Sequence, residues 1–73
     1  MTELGIFLAK KSINKAEVSR RSGISKARLT QLSNSVKTRL SVDELYLIAL
    51  SINADPAELL HTVCKDVKLP EQD

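Results

Sequence analysis

Apolar residues recur every three or four positions along most of the chain, which is the spacing that places them on one face of an α-helix. They fall in five clusters: Leu4, Phe7 and Leu8; Val18; Leu29 and Leu32; Val42, Leu45, Ile48, Ala49 and Ile52; Leu59, Leu60 and Val63. The chain has two glycines and two prolines, which is little material for hairpin turns. The pattern predicts five helices, at about residues 3–11, 15–21, 26–33, 42–52 and 56–65.

The starts of these helices carry capping signals. A capping residue followed three positions later by an acid satisfies exposed backbone N–H groups from both ends of the motif. Asn14 to Glu17, Ser41 to Glu44 and Asp55 to Glu58 have this form. A fourth start is Ser25, because Gly23 just before it can take the positive φ that lets one helix end and another begin.

The length of 73 residues suffices for one domain, and a hydrophobic share of 42% is ordinary for a globular protein. We expect an all-α fold, a compact five-helix domain over residues 1–65, followed by a C-terminal tail over residues 66–73. The helices should share one core. Its expected members are Leu4, Phe7, Ile13, Val18, Leu29, Leu32, Leu45, Ile48, Ala49, Ile52 and Leu59.

Charge is distributed unevenly along the chain. Residues 10–39 contain nine lysines and arginines and the single acid Glu17, a net charge of +8, whereas the remainder has a net charge of −6. A basic region beside an acidic remainder is typical of a surface that binds phosphates. The alternative is a solvated basic face without a ligand. A membrane surface is disfavoured, because the basic segments lack a wide apolar face.

Residues 15–32 have the build of a helix-turn-helix, in which two short helices meet across a turn that contains glycine. The second of these helices is poorly explained by core packing alone, since Leu29 and Leu32 are its only strongly apolar residues.

This segment resembles the Cro/CI-type repressor family, also called XRE or lambda-repressor-like. The resemblance rests on Val18, Leu29 and Leu32 as apolar positions, Ser19 as a small one, Gly23 in the turn and Ser25 as the cap. It extends over about residues 3–63 and implies the family's five-helix fold.

The resemblance also implies a function, the binding of double-stranded DNA with the third helix in the major groove. Lys26, Ala27 and Gln31 would then face bases, where Lys can donate to guanine, Gln can pair with adenine and the Ala methyl can pack on thymine. The residues implied near phosphates are Lys15, Ser25, Arg28, Thr30, Asn34, Lys37 and Arg39. Members of the family usually act as two-fold dimers, so we expect a homodimer. Its interface is expected on the fifth helix or just after it, at Leu60, Val63, Val67 and Leu69.

The chain departs from the family at several positions. Lys15 stands where many members have a glutamine that touches a phosphate. An arginine in the first helix that pairs with a glutamate at the end of the third is replaced by Leu8 and Ser33. Because both partners are absent, no charge is left unpaired, and we expect the two residues to lie close together with Leu8 largely buried. Ser22 occupies a place that is usually apolar, and Ser35 one that is often glycine.

The leading hypothesis is therefore a transcriptional regulator, a repressor, without enzymatic activity. The alternative is a protein-interaction module, such as an antitoxin-like partner that uses the same fold. An enzyme ranks third, because His61 and Cys64 are the only candidates for a reactive pair and nothing nearby would activate them. We expect no metal or other cofactor, since two ligands fall short of a zinc site. No apolar stretch is long enough to cross a bilayer and Cys64 is the single cysteine, so we expect a cytoplasmic protein.

Overall fold

The computed structural model describes residues 1–71, and in this part of the chain five α-helices and no strand are formed. The helices are α1 (Glu3–Lys10), α2 (Lys15–Ser22), α3 (Lys26–Asn34), α4 (Val42–Ser51) and α5 (Pro56–Val63). The all-α prediction is confirmed, and every helix ends within two residues of its predicted boundary.

Each helix begins next to a residue whose side-chain oxygen accepts a backbone N–H from the first turn. These capping residues are Thr2, Asn14, Ser25, Ser41 and Asp55. Such a cap satisfies a donor that has no partner inside the helix, a contribution of about 1 kcal/mol. The prediction of three reciprocal capping boxes was wrong in part. Within residues 1–71 the acid accepts the N–H of the capping residue only in the pair of Ser41 and Glu44. Glu17 instead binds Arg20 and Arg21, which lie one turn further along its own helix.

The core lies where the inward faces of all five helices meet. Its buried apolar members are Leu4, Phe7, Leu8, Val18, Ile24, Leu29, Leu32, Leu45, Ile48, Ala49 and Leu59. The predicted core is confirmed, with two refinements. Ile13 and Ile52 lie at its edge and are only half-buried. Leu8 and Ile24, the latter in the turn before α3, belong to it as well.

The packing of the helices leaves one side of α3 uncovered. Helix α4 packs against α2 and α5, and α1 packs against α3 and α5. Helix α3 contacts α1 and α2. The helix-turn-helix is thus held against the rest of the domain by α2, which packs on α4, and by the inner face of α3, which packs on α1. The outer face of α3 remains free.

Between α5 and residue 71 the chain forms no further helix. Residues 64–66 form a turn, in which the N–H of Val67 donates to the carbonyl of Cys64 at 2.9 Å. Nζ of Lys65 lies 3.3 Å from Oε1 of Glu3, so this turn is tied to the start of α1 by an ion pair. Residues 67–71 are exposed, and residues 72–73 of the predicted tail lie outside the described residues.

Candidate nucleic-acid interface

The turn between α2 and α3 depends on two adjacent residues. Gly23 takes φ +80°, a left-handed conformation that costs glycine little, and its N–H donates to the carbonyl of Ser19. The hydroxyl of Ser22 donates to the carbonyl of Val18 at 2.6 Å and accepts the N–H of Ile24 at 3.1 Å. A hydroxyl at position 22 therefore has a structural reason, since it bridges the end of α2 to the turn, although the family usually has an apolar residue there.

The far end of α3 is closed by the first residues of the chain. The N–H of Thr2 donates to the carbonyl of Ser33 at 2.8 Å, and its hydroxyl donates to the carbonyl of Leu32 at 2.7 Å. Gly5 is buried at the same contact, where a Cβ would come within 2.3 Å of the Ser33 carbonyl oxygen. Sequence reasoning missed both residues. A glycine in the first turn of an otherwise apolar helix was the available signal, because such a glycine often marks a close approach of two backbones.

Leu8 and Ser33 are both almost fully buried, as predicted for Leu8. Leu8 follows Gly5 by three positions and so lies on the same face of α1, the face that packs against α3. The Ser33 hydroxyl oxygen is buried without a hydrogen-bond partner among the described residues. Both residues are uncharged and buried, which is consistent with the joint loss of the ion pair that many members have at these positions.

The start of α3 is tied to the start of α4 by an ion pair. Nε of Arg28 lies 2.8 Å from one carboxylate oxygen of Glu44, and Nη2 lies 3.0 Å from the other. The same Nη2 donates to the carbonyl of Arg39 at 2.9 Å. The guanidinium of Arg28 and the N–H and hydroxyl of Ser41 lower the pKa of Glu44 to about 2. Arg28, predicted near phosphates, is therefore engaged inside the protein.

The outer face of α3 carries the three residues predicted to face bases. The residues exposed on this helix are Lys26, Ala27, Thr30, Gln31 and Asn34. At 100° per residue these positions occupy one continuous arc of the helix surface, opposite Leu29 and Leu32. Within residues 1–71, the polar side chains on this arc make no hydrogen bond or ion pair. The structure thus brings Lys26, Ala27 and Gln31 together, with Thr30 and Asn34 beside them, on an outer face of α3 that we term the reading face.

The other residues predicted near phosphates lie at the ends of α2 and α3 and in the loop that follows. Lys15 is the first residue of α2 and is half-buried. Lys37 and Arg39 are exposed in the loop between α3 and α4. Ser25 uses its oxygen to cap α3 by accepting the N–H of Arg28, which leaves its hydroxyl hydrogen to donate elsewhere.

The basic segment contains both paired and unpaired cations. Arg20 and Arg21 share the carboxylate of Glu17, and Arg21 also donates to the carbonyl of Ser51 at 3.2 Å. With Arg28 held by Glu44, three of the segment's four arginines are bound within the protein. Lys15, Lys26, Lys37 and Arg39 form no ion pair with any described residue, so their charges are available to an outside anion.

A family comparison agrees with this arrangement. The family described as "Cro/C1-type HTH DNA-binding domain" matches residues 3–65, which is most of the chain. The chain belongs to the Cro/C1-type helix-turn-helix family. It is accordingly a DNA-binding regulatory domain, and the resemblance found in the sequence is confirmed. Neither the curated proteins nor the solved structures gave a match. Among the described residues, no helix could span a membrane and no three potential ligands are grouped to hold a metal ion.

Proposed function

We propose that this Cro/C1-type domain is a sequence-specific transcriptional repressor that reads the major groove with α3. The observation that carries the proposal is the reading face, an uncovered helix surface whose polar side chains have no partner within the described chain. A major groove about 12 Å wide admits one helix, and there Lys26 would donate to guanine O6 and N7. Gln31 would pair with N6 and N7 of adenine, and Ala27 would pack against a thymine methyl.

Affinity would come from contacts that carry no sequence information. Lys15, Lys37 and Arg39 form no ion pair with a described residue. Lys15 begins α2, which packs against α3, and Lys37 and Arg39 lie in the loop after α3. Ser25, Thr30 and Asn34 would add hydrogen bonds to the same phosphate oxygens. Repression would need no further chemistry, because a bound domain covers DNA that the transcription machinery must reach.

We also propose that the protein acts as a homodimer, since one helix reads only a few base pairs. An apolar groove of about 540 Å³ lies between the start of α4 and helix α5. Tyr46 and Leu60 line it and are about half exposed, and Val42 at its rim is 82% exposed. Burying such a surface against a second copy would remove apolar area from water, a gain of about 25 cal/mol per Å². This groove includes Leu60 and Val63 of the predicted interface and adds the start of α4 to it.

Selection of bound sequences from a random DNA pool tests the proposal. The expected result is a two-fold symmetric site whose half-sites are about one helical turn, roughly 34 Å, apart. DNA that is retained without enrichment of any sequence would contradict base reading by α3. A single enriched half-site would contradict the dimer and leave the reading of bases intact.

The same groove favours a second candidate, a protein-interaction module that uses this fold. Two variants distinguish it from the homodimer, Tyr46→Asp in the groove and His61→Asp outside it. If the groove joins two copies, Tyr46→Asp should convert the dimer into a monomer, as measured by sedimentation velocity. It should also weaken binding to DNA that carries both half-sites, whereas His61→Asp should change neither. If the wild-type chain is a monomer both free and on its DNA, the groove is left for a different protein.

A further inference from the structure

Arg28 is held by Glu44 through the same two-pronged geometry that arginine uses to bind a phosphate. Two parallel bonds of 2.8 and 3.0 Å join the guanidinium to the carboxylate, and the Arg39 carbonyl accepts a third at 2.9 Å. Bonds of this kind are among the strongest that an arginine side chain makes. Two of the three guanidinium nitrogens are therefore occupied before any DNA arrives.

Glu44 is itself fixed in place. Its carboxylate accepts the N–H of Ser41 at 3.0 Å, while its own N–H donates to the Ser41 hydroxyl at 3.1 Å. Its side chain is 19% exposed, against 37% for Arg28. The carboxylate is ionised at neutral pH, since its pKa is lowered to about 2. The pair is thus a preformed part of the junction between α3 and α4.

The position of Arg28 gives this pairing a consequence for DNA binding. Arg28 is the third residue of α3, directly after Ala27 of the reading face. An arginine released there would be permanently charged and long enough to reach a phosphate next to the groove. Such a contact forms with DNA of any sequence, so it raises affinity for random and preferred DNA alike.

We propose that Glu44 withholds Arg28 from DNA, acting as an internal substitute for a phosphate that limits the binding of unrelated sequences. This role rests on the proposed function, because it concerns the same α3 interface. Glu44 is a positioning residue here: it does not touch DNA, and it acts through Arg28. The pair lowers the number of cations that face the DNA phosphates, and it fixes the direction of α3 relative to α4. The choice of binding site is then left to Lys26 and Gln31.

The test measures affinity against salt concentration for random and selected DNA. Glu44→Gln keeps the shape of the side chain and its capping ability but removes the charge that holds Arg28. Random-DNA affinity should rise about 3- to 10-fold near 0.1 M salt. The slope of log affinity against log salt concentration should become steeper by about one unit per subunit. The ratio of selected to random affinity should fall.

Two controls separate this role from a general change of charge. Asp43→Asn removes a neighbouring carboxylate on the same turn of α4 that pairs with no described residue, and it should change the salt dependence little. The double variant Arg28→Gln, Glu44→Gln removes both partners and leaves no unpaired charge. It should keep the wild-type salt dependence, whereas Lys15→Gln should make it shallower by about one unit.

The proposal is overturned if Glu44→Gln and Asp43→Asn raise random-DNA affinity equally. It is also overturned if the double variant has a salt dependence as shallow as that of Lys15→Gln, because Arg28 would then bind a phosphate in the wild type. Thermal melting of each variant confirms that it is folded, and should Glu44→Gln alone fail to fold, the double variant decides. Failure of the proposed function looks different: the wild-type protein itself would then prefer no sequence.

Discussion

The backbone N–H of Thr2 donates to the carbonyl oxygen of Ser33 across 2.8 Å, so helix α1 begins where helix α3 ends. Thr2 caps both helices, because its hydroxyl also accepts the N–H of Gly5 at 3.1 Å while it donates to the Leu32 carbonyl. The positive end of one helix dipole meets the negative end of another, an arrangement that favours the contact. Together with the ion pair of Arg28 at the other end, this contact holds α3 at both of its termini.

Replacing Thr2 with Val keeps the volume of the side chain but removes the shared hydroxyl. We expect the free energy of unfolding to fall by about 1 to 2 kcal/mol, since a cap and a bond to a carbonyl disappear together. Urea denaturation followed by circular dichroism measures it. Thr62→Val is a matched control, because the Thr62 hydroxyl bonds only to the Glu58 carbonyl within its own helix. Equal losses for the two variants would show that Thr2 has no role beyond that of an ordinary helix threonine.

Gly5→Ala should destabilise the protein although alanine is the better helix former. The added methyl group would lie 2.3 Å from the Ser33 carbonyl oxygen, which is backbone and cannot swing aside. Helix α1 would have to move away from α3, at a typical cost of about 1 to 3 kcal/mol. Thermal unfolding checks the sign. A gain of about 1 kcal/mol, the value expected from helix propensity alone, would mean that the two backbones are not in close contact.

Leu8→Arg should lower the melting temperature, because a charge would be placed in the core between α1 and α3 without a partner. A buried charge that lacks its partner costs about 3 to 5 kcal/mol. Adding Ser33→Glu supplies the partner that many family members have, so the double variant should recover part of the loss. An unchanged melting temperature for Leu8→Arg, or no recovery in the double variant, would count against the facing of positions 8 and 33.

The ion pair of Glu44 predicts a dependence of stability on pH. Its pKa is lowered in the folded protein from 4.5 to about 2, so its contribution is complete above pH 4.5 and is lost as pH falls toward 2. Wild type should therefore exceed Glu44→Gln in unfolding free energy most clearly above pH 5, and the two should converge near pH 2. A difference that stays constant over this range would mean that the charge of Glu44 does not contribute. Asp43→Asn, which removes an unpaired exposed carboxylate, serves as the reference.

The helices and the reading face could be predicted from the sequence because both depend on local rules. Helical spacing of Leu29 and Leu32 defines the buried side of α3, and whatever lies opposite must face outward. Capping residues such as Ser41 and Asp55 mark where helices begin, whatever the rest of the fold does.

The partners of the charged side chains could not be predicted in the same way. Arg28 and Glu44 are 16 positions apart and meet only because the loop after α3 brings the start of α4 beside it. Glu17 looked like the acid of a capping box, but two arginines on its own helix compete for it. Such choices depend on which groups come within about 3 Å after folding, a distance that periodicity and composition do not specify.

The most direct test of base reading by α3 compares variants of the two residue classes on the selected site and on random DNA at several salt concentrations. Gln31→Ala should cost about 1 to 3 kcal/mol on the selected site, relax the preference at one base pair per half-site and leave random-DNA binding nearly unchanged. Lys15→Ala and Arg39→Ala should weaken both DNAs by similar factors. Each should also make the salt dependence shallower by about one unit for every phosphate that a subunit no longer binds. If Gln31→Ala lowered affinity for every sequence equally, α3 would not be the element that reads bases.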